Sequence, residues 1–342
     1  MRKISSSIKK RLRRHSTRFL PALLSLQQAV LRNVLRPLVT QSIGKGTALS
    51  TESHAVLKRL PVEALSEPAA RAIDRAGTTA RTSFTAELNR RTLLKIHGAR
   101  LPEWELNDTE AGQNFAQRFG FRVPATYFTG VPFGSISLTR PAVLKPLHGA
   151  GSKGVYVYID ANTIYNVERR RNIGSLQALN EEVRHLLDKQ RVRTDEWIVE
   201  EYIRPRDGLI PPDLKCYAFY GEIGLVLELN RDEPDIRYCF RDSAGRQRNT
   251  GKYEKTAGYR RFAGEGLTSE EAQTVTRLSR HVAAPFVRID LMRGEHGLFF
   301  GEFTPRPGHY HLFSSEVDEE LGDMFIRAEA RLHADLFRPA PH

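Results

Sequence analysis

A lysine followed by a glycine-rich loop lies near the middle of the chain, in the segment 141–159 (PAVLKPLHGAGSKGVYVYI). Lys145 ends a run of strand-forming residues. Gly149, Gly151 and Gly154 then follow with G-x-G-x-x-G spacing. That spacing indicates a dinucleotide-binding fold only when a helix follows the loop, whereas a β-branched and aromatic run follows it here. The segment therefore predicts a hairpin whose backbone amides could cover phosphates beside a fixed positive charge, with an ordinary glycine turn as the alternative.

Two carboxylates occupy matching places in a second predicted hairpin, formed by FVRIDLM and GLFFGEF. If a three-residue loop, Glu295–Gly297, connects these strands, Asp290 lies opposite Glu302 and Arg288 lies opposite Thr304. A loop that is one residue longer or shorter would separate the two carboxylates. Opposed carboxylates repel each other unless a cation lies between them, and hard oxygen ligands suit Mg²⁺. The apolar neighbours favour a magnesium site over the alternative, a pair of solvated strand acids.

The two hairpins together indicate ATP chemistry. A glycine loop with a lysine handles phosphates, and a carboxylate pair downstream holds the magnesium that bridges them. The order of the motifs excludes a protein kinase, in which the lysine follows the glycine loop and H-R-D and D-F-G motifs are present. A Walker loop is also excluded, because no Gly-Lys-Ser/Thr closes the glycine run.

Composition describes a globular protein whose charge is unevenly distributed. Its 342 residues allow a large core or two to three compact units, and 40% hydrophobic and 27% charged residues are globular values. Residues 1–51 contain eleven Lys or Arg and no acid, and so account for nearly all of the net charge of +12. The rest of the chain is close to neutral, which argues against a nucleic-acid footprint over the whole protein. The two cysteines, Cys216 and Cys239, favour a reducing, cytoplasmic compartment.

The basic arm, residues 1–51, contains a leucine-rich stretch with helical spacing at residues 19–39. Glutamine, asparagine and arginine interrupt the stretch, which makes it too polar to span a bilayer. One hypothesis places a basic amphipathic helix within residues 1–40 on the anionic inner face of a membrane. The alternative is a helix packed on the body or on a second subunit. Nucleic-acid binding by the arm is less favoured.

The remaining sequence alternates between helical and strand signals. We predict a helical region at 52–140, a small lobe with the glycine hairpin at 141–195, and a large lobe with the carboxylate hairpin at 196–342. Ser175 begins a helix within the small lobe. The polar, glycine-rich residues 242–266 predict a mobile loop within the large lobe.

From these motifs, the chain resembles the ATP-grasp superfamily, and most closely its teichuronopeptide-biosynthesis branch, over roughly residues 106–335. The resemblance is carried by VLKPLHGAGSKGV, WIVEEYI, DLKCYAFYG followed by Asn230–Asp232, VRIDLM, and FGEFTPRPG with the later ELGDMF. It implies an α+β ATP-grasp fold in which two α+β lobes grip ATP, preceded here by the basic helical arm. The implied cofactors are ATP and two Mg²⁺ ions.

The resemblance also implies roles for residues at the matching positions. Phosphate contacts are expected from Lys145, Lys215 and Arg231, under a covering loop that contains Gly149, Gly151, Ser152, Lys153 and Gly154. Adenine and ribose contacts are expected from Glu200, Glu201, Tyr202, Ile203 and Asp213. The metal ligands would be Asp290, Glu302 and Thr304, although Thr304 stands where many relatives have Asn. Catalytic charge would come from Arg288 and Lys215, and substrate contacts from Arg306, Gly308, His309 and His311.

Family chemistry then implies a carboxylate–amine ligase. ATP would phosphorylate a carboxylate, such as a uronic acid of a polysaccharide or a natural-product acid, and the amine of an amino acid or peptide would attack the acyl phosphate. A second hypothesis is a small-molecule kinase on the same fold. A third is a non-catalytic ATP-binding scaffold at the membrane, which the intact set of Lys145, Asp290 and Glu302 argues against.

Overall fold

The computed structural model describes a set of ranges: residues 25–30, 33, 65, 67, 70, 71, 73, 82–149, 152–232 and 235–337. The chain divides into two compact units, 1–84 and 85–342. In the first unit, residues 25–30 are helical, in agreement with the predicted helix over that short stretch. Almost all of the rest of the basic arm lies outside the described residues, and the predicted membrane contact lies there with it. No helix among the described residues is long and apolar enough to cross a membrane.

Six helices are described from residue 84 onward: α1 (Phe84–Ile96), α2 (Pro102–Glu105), α3 (Thr109–Arg118), α4 (Leu176–Asp188), α5 (Ser269–His281) and α6 (Ser315–Leu336). Several begin at a side chain that accepts a hydrogen bond from an otherwise unpaired backbone N–H, namely Asp108, Ser175, Thr268 and Ser314. At α5, Thr268 and Glu271 form a reciprocal capping box. These local signals determine where the helices begin.

The first sheet has six strands in the spatial order β1-β6-β2-β3-β4-β5, and all neighbouring pairs are antiparallel. The strands are β1 (Thr126–Val131), β2 (Ala142–Pro146), β3 (Tyr156–Asp160), β4 (Thr163–Asn166), β5 (Arg171–Asn172) and β6 (Trp197–Glu201). The glycine loop joins β2 to β3, so the predicted hairpin is present. α4 buries Leu179, Val183 and Leu186 in a shared core with the sheet, each worth about 1.5–3 kcal/mol.

The composition of this sheet differs from the predicted division of the chain. β1 lies in the region 52–140, which we predict to be helical, and β6 begins just after the predicted boundary at residue 196. Both nevertheless belong to the sheet of the glycine hairpin, since Val143 on β2 pairs with Glu200 on β6. Local periodicity identifies a strand but does not reveal its partner, and α4 separates β6 from β5 in the sequence. The domain boundaries themselves stay predictions.

The second sheet also has six strands, in the order β10-β9-β8-β7-β11-β12. They are β7 (Asp213–Ala218), β8 (Ile223–Asn230), β9 (Ile236–Asp242), β10 (Tyr259–Arg261), β11 (Val287–Gly294) and β12 (Gly297–Thr304). One face packs on α5, with Leu214, Cys216 and Ile289 among the buried residues. Because side chains alternate along a strand, Lys215 and Tyr217 lie on the opposite face.

The carboxylate hairpin has the predicted pairing but not the predicted turn. Its strands are joined by two residues, Glu295 and His296, so the predicted three-residue loop is wrong. A bulge at Gly301 inserts one residue into β12 and restores the register, which leaves Asp290 directly opposite Glu302. Glycine suits this position because a Cβ there would lie 3.2 Å from the Asp290 carbonyl oxygen. The same register pairs Arg288 with Thr304, as predicted.

Residues 242–266 are more ordered than their polar composition predicts. The segment contains β10, which pairs in parallel with β9. Thr250 and Lys252 within it are only 2% and 1% exposed. Composition suggested a loop on the surface, whereas packing against the second sheet buries its middle.

Candidate active site

A cavity of about 240 Å³ is lined by residues of both sheets. The predicted site residues that line it are Lys145, Glu200, Glu201, Tyr202, Ile203, Asp213, Lys215, Asp290 and Glu302. They come from strands far apart in sequence, and the tertiary structure brings them to one place. A larger hollow of about 560 Å³ beside β8, α5 and α6 contains none of the predicted site residues.

On the side of the first sheet, the cavity holds an oriented lysine. Lys145 Nζ lies 2.7 Å from the Glu200 Oε2 atom, and the Glu200 side chain is buried. The strand register explains the contact, since Lys145 pairs with Ile198 and Glu200 lies two residues beyond it on the same face. The buried acid fixes the position of the ammonium group while leaving part of the lysine side chain exposed to the cavity.

The predicted adenine hinge, residues 200–203, is held by hydrogen bonds to neighbouring segments. Glu201 donates its backbone N–H to the Ala125 carbonyl at 2.7 Å and accepts from the Ala125 N–H on its carboxylate at 3.1 Å. The Tyr202 hydroxyl donates to the Leu209 carbonyl at 2.8 Å. Beside the hinge, Met292 also lines the cavity. We did not predict Met292, although the two-residue period from Asp290 on β11 is a signal that could have found it.

On the side of the second sheet, Asp290 is the centre of an ionic cluster. Both of its carboxylate oxygens accept from the Arg288 guanidinium at 2.6 Å, and Lys215 Nζ lies 2.6 Å from Oδ2. Burial alone would raise the pKa of Asp290, but Arg288 and Lys215 outweigh it and lower the pKa below its ordinary value. Asp290 in turn raises the pKa of Arg288 despite burial. Asp290 and Arg288 therefore form a charged pair at neutral pH.

A second ionic group lies beside this cluster. The Arg231 guanidinium pairs with the Asp213 carboxylate, and Lys215 Nζ lies 3.9 Å from Asp213 Oδ2. Lys215 thus lies between two acids on one sheet face. The predicted ribose contact, Asp213, thus lies next to two predicted phosphate contacts, Lys215 and Arg231. Their roles in binding stay predictions.

The opposed carboxylates fit Mg²⁺ by their chemistry. Asp290 and Glu302 face each other across β11 and β12, and the Thr304 hydroxyl lies 3.3 Å from Glu302 Oε1. No cluster of three or more His, Cys, Asp or Glu that could hold a metal ion occurs within the described part of the chain. A protein usually contributes one or two carboxylates to a magnesium site, and phosphate oxygens and water complete the coordination of the ion. Asp290 would share its oxygens with Arg288 and Lys215, which already bind them.

The predicted phosphate-covering loop is only partly described. Ala150 and Gly151 lie outside the described residues, and the loop residues around them do not line the cavity. Gly154 has a φ of +70°, and a Cβ there would lie 2.9 Å from the Pro146 Cγ atom. Ser152 also has a positive φ, of 62°, and Lys153 is exposed. The shape suits a tight hairpin, and its contact with phosphates stays a prediction.

The predicted substrate contacts lie on the segment 305–313, which we name the acceptor loop. The Arg306 guanidinium donates to the Tyr310 hydroxyl at 2.8 Å, and that hydroxyl donates to Asn89 Oδ1 on α1 at 2.8 Å. His309 and His311 are exposed, with ring centroids 6.3 Å apart. None of the predicted contacts on this loop lines the cavity. The structure therefore does not bring the predicted substrate contacts together with the predicted nucleotide contacts.

One buried group near the site was missed by the sequence analysis. Lys252 donates to the Gly308 carbonyl of the acceptor loop at 2.8 Å and lies 3.3 Å from the Tyr217 hydroxyl. Burial lowers its pKa to about 7, and the positive charges of Arg288 and Lys215 act in the same direction. A lysine in a polar, glycine-rich segment carries no sequence signal that would distinguish it from an exposed one.

The low pKa of Lys252 predicts a pH-dependent stability. The unfolded lysine titrates near 10.5, so between about pH 7 and 10.5 the unfolded state binds the extra proton. The free energy of unfolding should therefore rise with pH in this window, by up to about 1.4 kcal/mol per pH unit. Urea unfolding at several pH values, compared with the Lys252→Met variant, measures the effect. If the free energies of unfolding of the wild type and of Lys252→Met differ by the same amount at every pH, the prediction is wrong.

The two sheets share one cavity, and each contributes a lysine to it. The family model described as TupA-like ATP-grasp matches residues 90–326, which is more than half of the chain, and the chain belongs to this family. Both the α+β class and the predicted branch are thereby confirmed. Proteins of this superfamily bind ATP, with Mg²⁺, between their two lobes.

The fold is also similar to solved ATP-grasp ligases at low sequence identity. A D-alanine–D-alanine ligase from Bacillus anthracis is 14% identical, with 68% of this chain and 69% of that chain covered and a TM-score of 0.40. The ATP-grasp ligase PsnB complexed with minimal precursor is 12% identical, with 77% and 67% covered and a TM-score of 0.37.

A third solved structure is the macrocyclase MdnC bound with the precursor peptide MdnA from Microcystis aeruginosa MRC. It is 11% identical to this chain, with 68% of this chain and 65% of that chain covered and a TM-score of 0.39. This chain thus spans less than two thirds of the macrocyclase. No curated protein sequence matches the chain. Membership of the family rests on the match over residues 90–326.

Proposed function

We propose that the protein is an ATP- and Mg²⁺-dependent carboxylate–amine ligase that forms an amide bond through an acyl phosphate. The observation that carries the proposal is the ionic cluster of Lys215, Asp290 and Arg288 beside a cavity that Lys145 enters from the other sheet. Cations on both sides of one cavity suit a triphosphate and the negative charge that develops during transfer. Membership of the ATP-grasp family supports the same class of chemistry.

The reaction has two steps. An oxygen of the substrate carboxylate attacks the γ-phosphorus of ATP, the bond to the bridging oxygen breaks, and ADP leaves. The nitrogen of the amine then attacks the acyl phosphate carbon, inorganic phosphate leaves with the C–O bonding electrons, and the nitrogen loses a proton. Lys145 and Lys215 would bind and orient the phosphates, and Arg288 would stabilise the negative charge of the tetrahedral intermediate. Asp290 and Glu302 would hold Mg²⁺, whose positive charge would offset that of the phosphates.

The proposed substrates are a carboxylate, such as a uronic acid in a polysaccharide or an acid in a natural product, and the amine of an amino acid or peptide. A screen of carboxylate and amine pairs for ADP release identifies them. Hydroxylamine in place of the amine then distinguishes the hypotheses. A ligase yields a hydroxamate and ADP, a small-molecule kinase yields a stable phosphorylated product, and a non-catalytic scaffold binds ATP without turnover.

Replacing Lys145 with Met should weaken ATP binding about 10- to 100-fold. A charge-assisted hydrogen bond to phosphate contributes about 1.5–3 kcal/mol, and every 1.4 kcal/mol changes the affinity tenfold. Calorimetric titration with a non-hydrolysable ATP analogue measures the loss. Lys189→Met removes an exposed lysine just beyond α4 and is the matched control.

The Lys145→Met variant also leaves Glu200 buried without its cation. A double variant, Lys145→Met with Glu200→Gln, removes that charge and restores the fold if the single variant is unstable. An affinity for the analogue equal to that of the wild type in the folded double variant would remove Lys145 from the phosphate site.

We also propose that the basic arm contacts an anionic membrane surface, which would place a cytoplasmic enzyme at the inner membrane face. Eleven basic residues without an acid support this, since each contributes about 1 kcal/mol near such a surface. The full chain should sediment with vesicles that contain anionic lipid and remain free with neutral vesicles. Binding that persists after residues 1–40 are deleted would contradict the proposal.

A further inference from the structure

Lys252 connects the segment 249–253 to the acceptor loop from inside the protein. Its side chain is 1% exposed, and its ammonium group donates to the Gly308 carbonyl at 2.8 Å. A second bond lies one residue beyond the acceptor loop, where the Ser314 N–H donates to the Thr250 carbonyl at 2.8 Å. Between these bonds, a Cβ on Gly251 would lie 3.1 Å from the Ser314 nitrogen. The segment 249–253 is therefore held to the acceptor loop at Gly308 and to the end of that loop at Ser314.

The surroundings of the ammonium group are aromatic rather than acidic. Nζ lies 5.0 Å from the ring centroid of Phe313 and 5.1 Å from that of Tyr253. The ammonium group also donates to the Tyr217 hydroxyl, at 3.3 Å. Among the salt bridges of the described residues, none involves Lys252. Burying an amine in such a place costs free energy unless its hydrogen bonds are made, which gives the bond to Gly308 a specific importance.

The bond to Gly308 is made next to a strained residue. His309 has a φ of +54°, in the left-handed region, where a residue with a Cβ is strained by about 1 kcal/mol or more. Such a conformation persists only when neighbouring contacts enforce it. The Gly308 carbonyl belongs to the peptide bond that leads into His309, so anchoring this carbonyl restricts the peptide plane and the direction of the imidazole.

We propose that Lys252 is a positioning residue that holds the acceptor loop, and with it His309 and His311, in the conformation that receives the carboxylate substrate. The assignment rests on the proposed ligase function for the role of the loop, and on the hydrogen bond for the role of the lysine. Lys252 acts through the Gly308 carbonyl and does not touch the nucleotide cavity. Its loss should therefore affect the substrate and not ATP.

The test uses the full chain with Lys252→Met, which keeps the unbranched shape and most of the length of the side chain and removes the donor. The control is Lys255→Met, which replaces an exposed lysine two residues beyond the segment 249–253. Hydrogen–deuterium exchange should become at least tenfold faster in the peptide that covers residues 308–314, while β7 keeps its protection. Lys252→Gln retains a donor, so exchange in this peptide should be faster than in the wild type and slower than in Lys252→Met. It replaces the Met variant in the experiment if that variant does not fold. Unchanged exchange in this peptide would overturn the proposal.

Kinetics with the carboxylate and amine pair from the screen provide the functional readout. In Lys252→Met, the KM for the carboxylate should rise at least tenfold, while the KM for ATP stays within about twofold. A parallel rise in both values would show a merely structural role and overturn the proposal. If no pair supports turnover by the wild-type protein, the ligase function fails, and the exchange experiment still decides whether Lys252 holds the loop.

Discussion

Replacing Glu302 with Gln is expected to abolish Mg²⁺-dependent ADP release, with turnover lower by about a thousandfold or more. The carboxylate lies opposite Asp290 on the neighbouring strand, where it can complete a magnesium site. A metal that neutralises phosphate charge contributes several kcal/mol to transfer, and each 1.36 kcal/mol is a factor of about ten in rate. The measurement is ADP release over a range of Mg²⁺ concentrations.

The fold should be unaffected by this substitution. The Glu302 side chain is 56% exposed, and its nearest cation, Arg288, is 4.0 Å away, so it makes no strong ion pair whose loss would destabilise the protein. Glu295→Gln, in the turn of the same hairpin, is the matched control and should keep its activity. A Glu302→Gln protein with the Mg²⁺ dependence of the wild type would remove this carboxylate from the mechanism.

Replacing Asp290 with Asn should cost both activity and stability, the latter by about 3–5 kcal/mol. Asp290 is 5% exposed and is the acidic partner of both Arg288 and Lys215. The variant leaves two cations close together without the charge that balances them, and an amide cannot accept their hydrogen bonds equally well. Urea denaturation of both proteins measures the change in the free energy of unfolding.

A double-mutant cycle distinguishes this electrostatic cause from a packing defect. Adding Lys215→Met to Asp290→Asn removes one of the two unbalanced cations, so the double variant should be less destabilised than the sum of the two single variants. Additive effects, or a loss below about 1 kcal/mol for Asp290→Asn alone, would contradict the view that Asp290 holds the cluster together.

Several parts of the fold could be predicted because their signals are local. The cap at Ser175, for example, needs only four consecutive residues. The pairing of Asp290 with Glu302 was also predicted, but from a loop of the wrong length, and the bulge at Gly301 compensated for that error. A bulge depends on how two strands twist against each other, which a single strand does not reveal.

Three features can be read from the order and types of residues alone: the order of the motifs, the alternation that puts Lys215 on the face opposite the helix-packed core, and the family. The folded chain alone shows that β6 lies beside β2, so that Glu200 holds Lys145, and that Lys252 is buried beneath the acceptor loop. The reason is physical. Periodicity reports which side of an element is apolar, whereas the partner of a strand and the cover over a loop arise from contacts between segments that are distant in sequence.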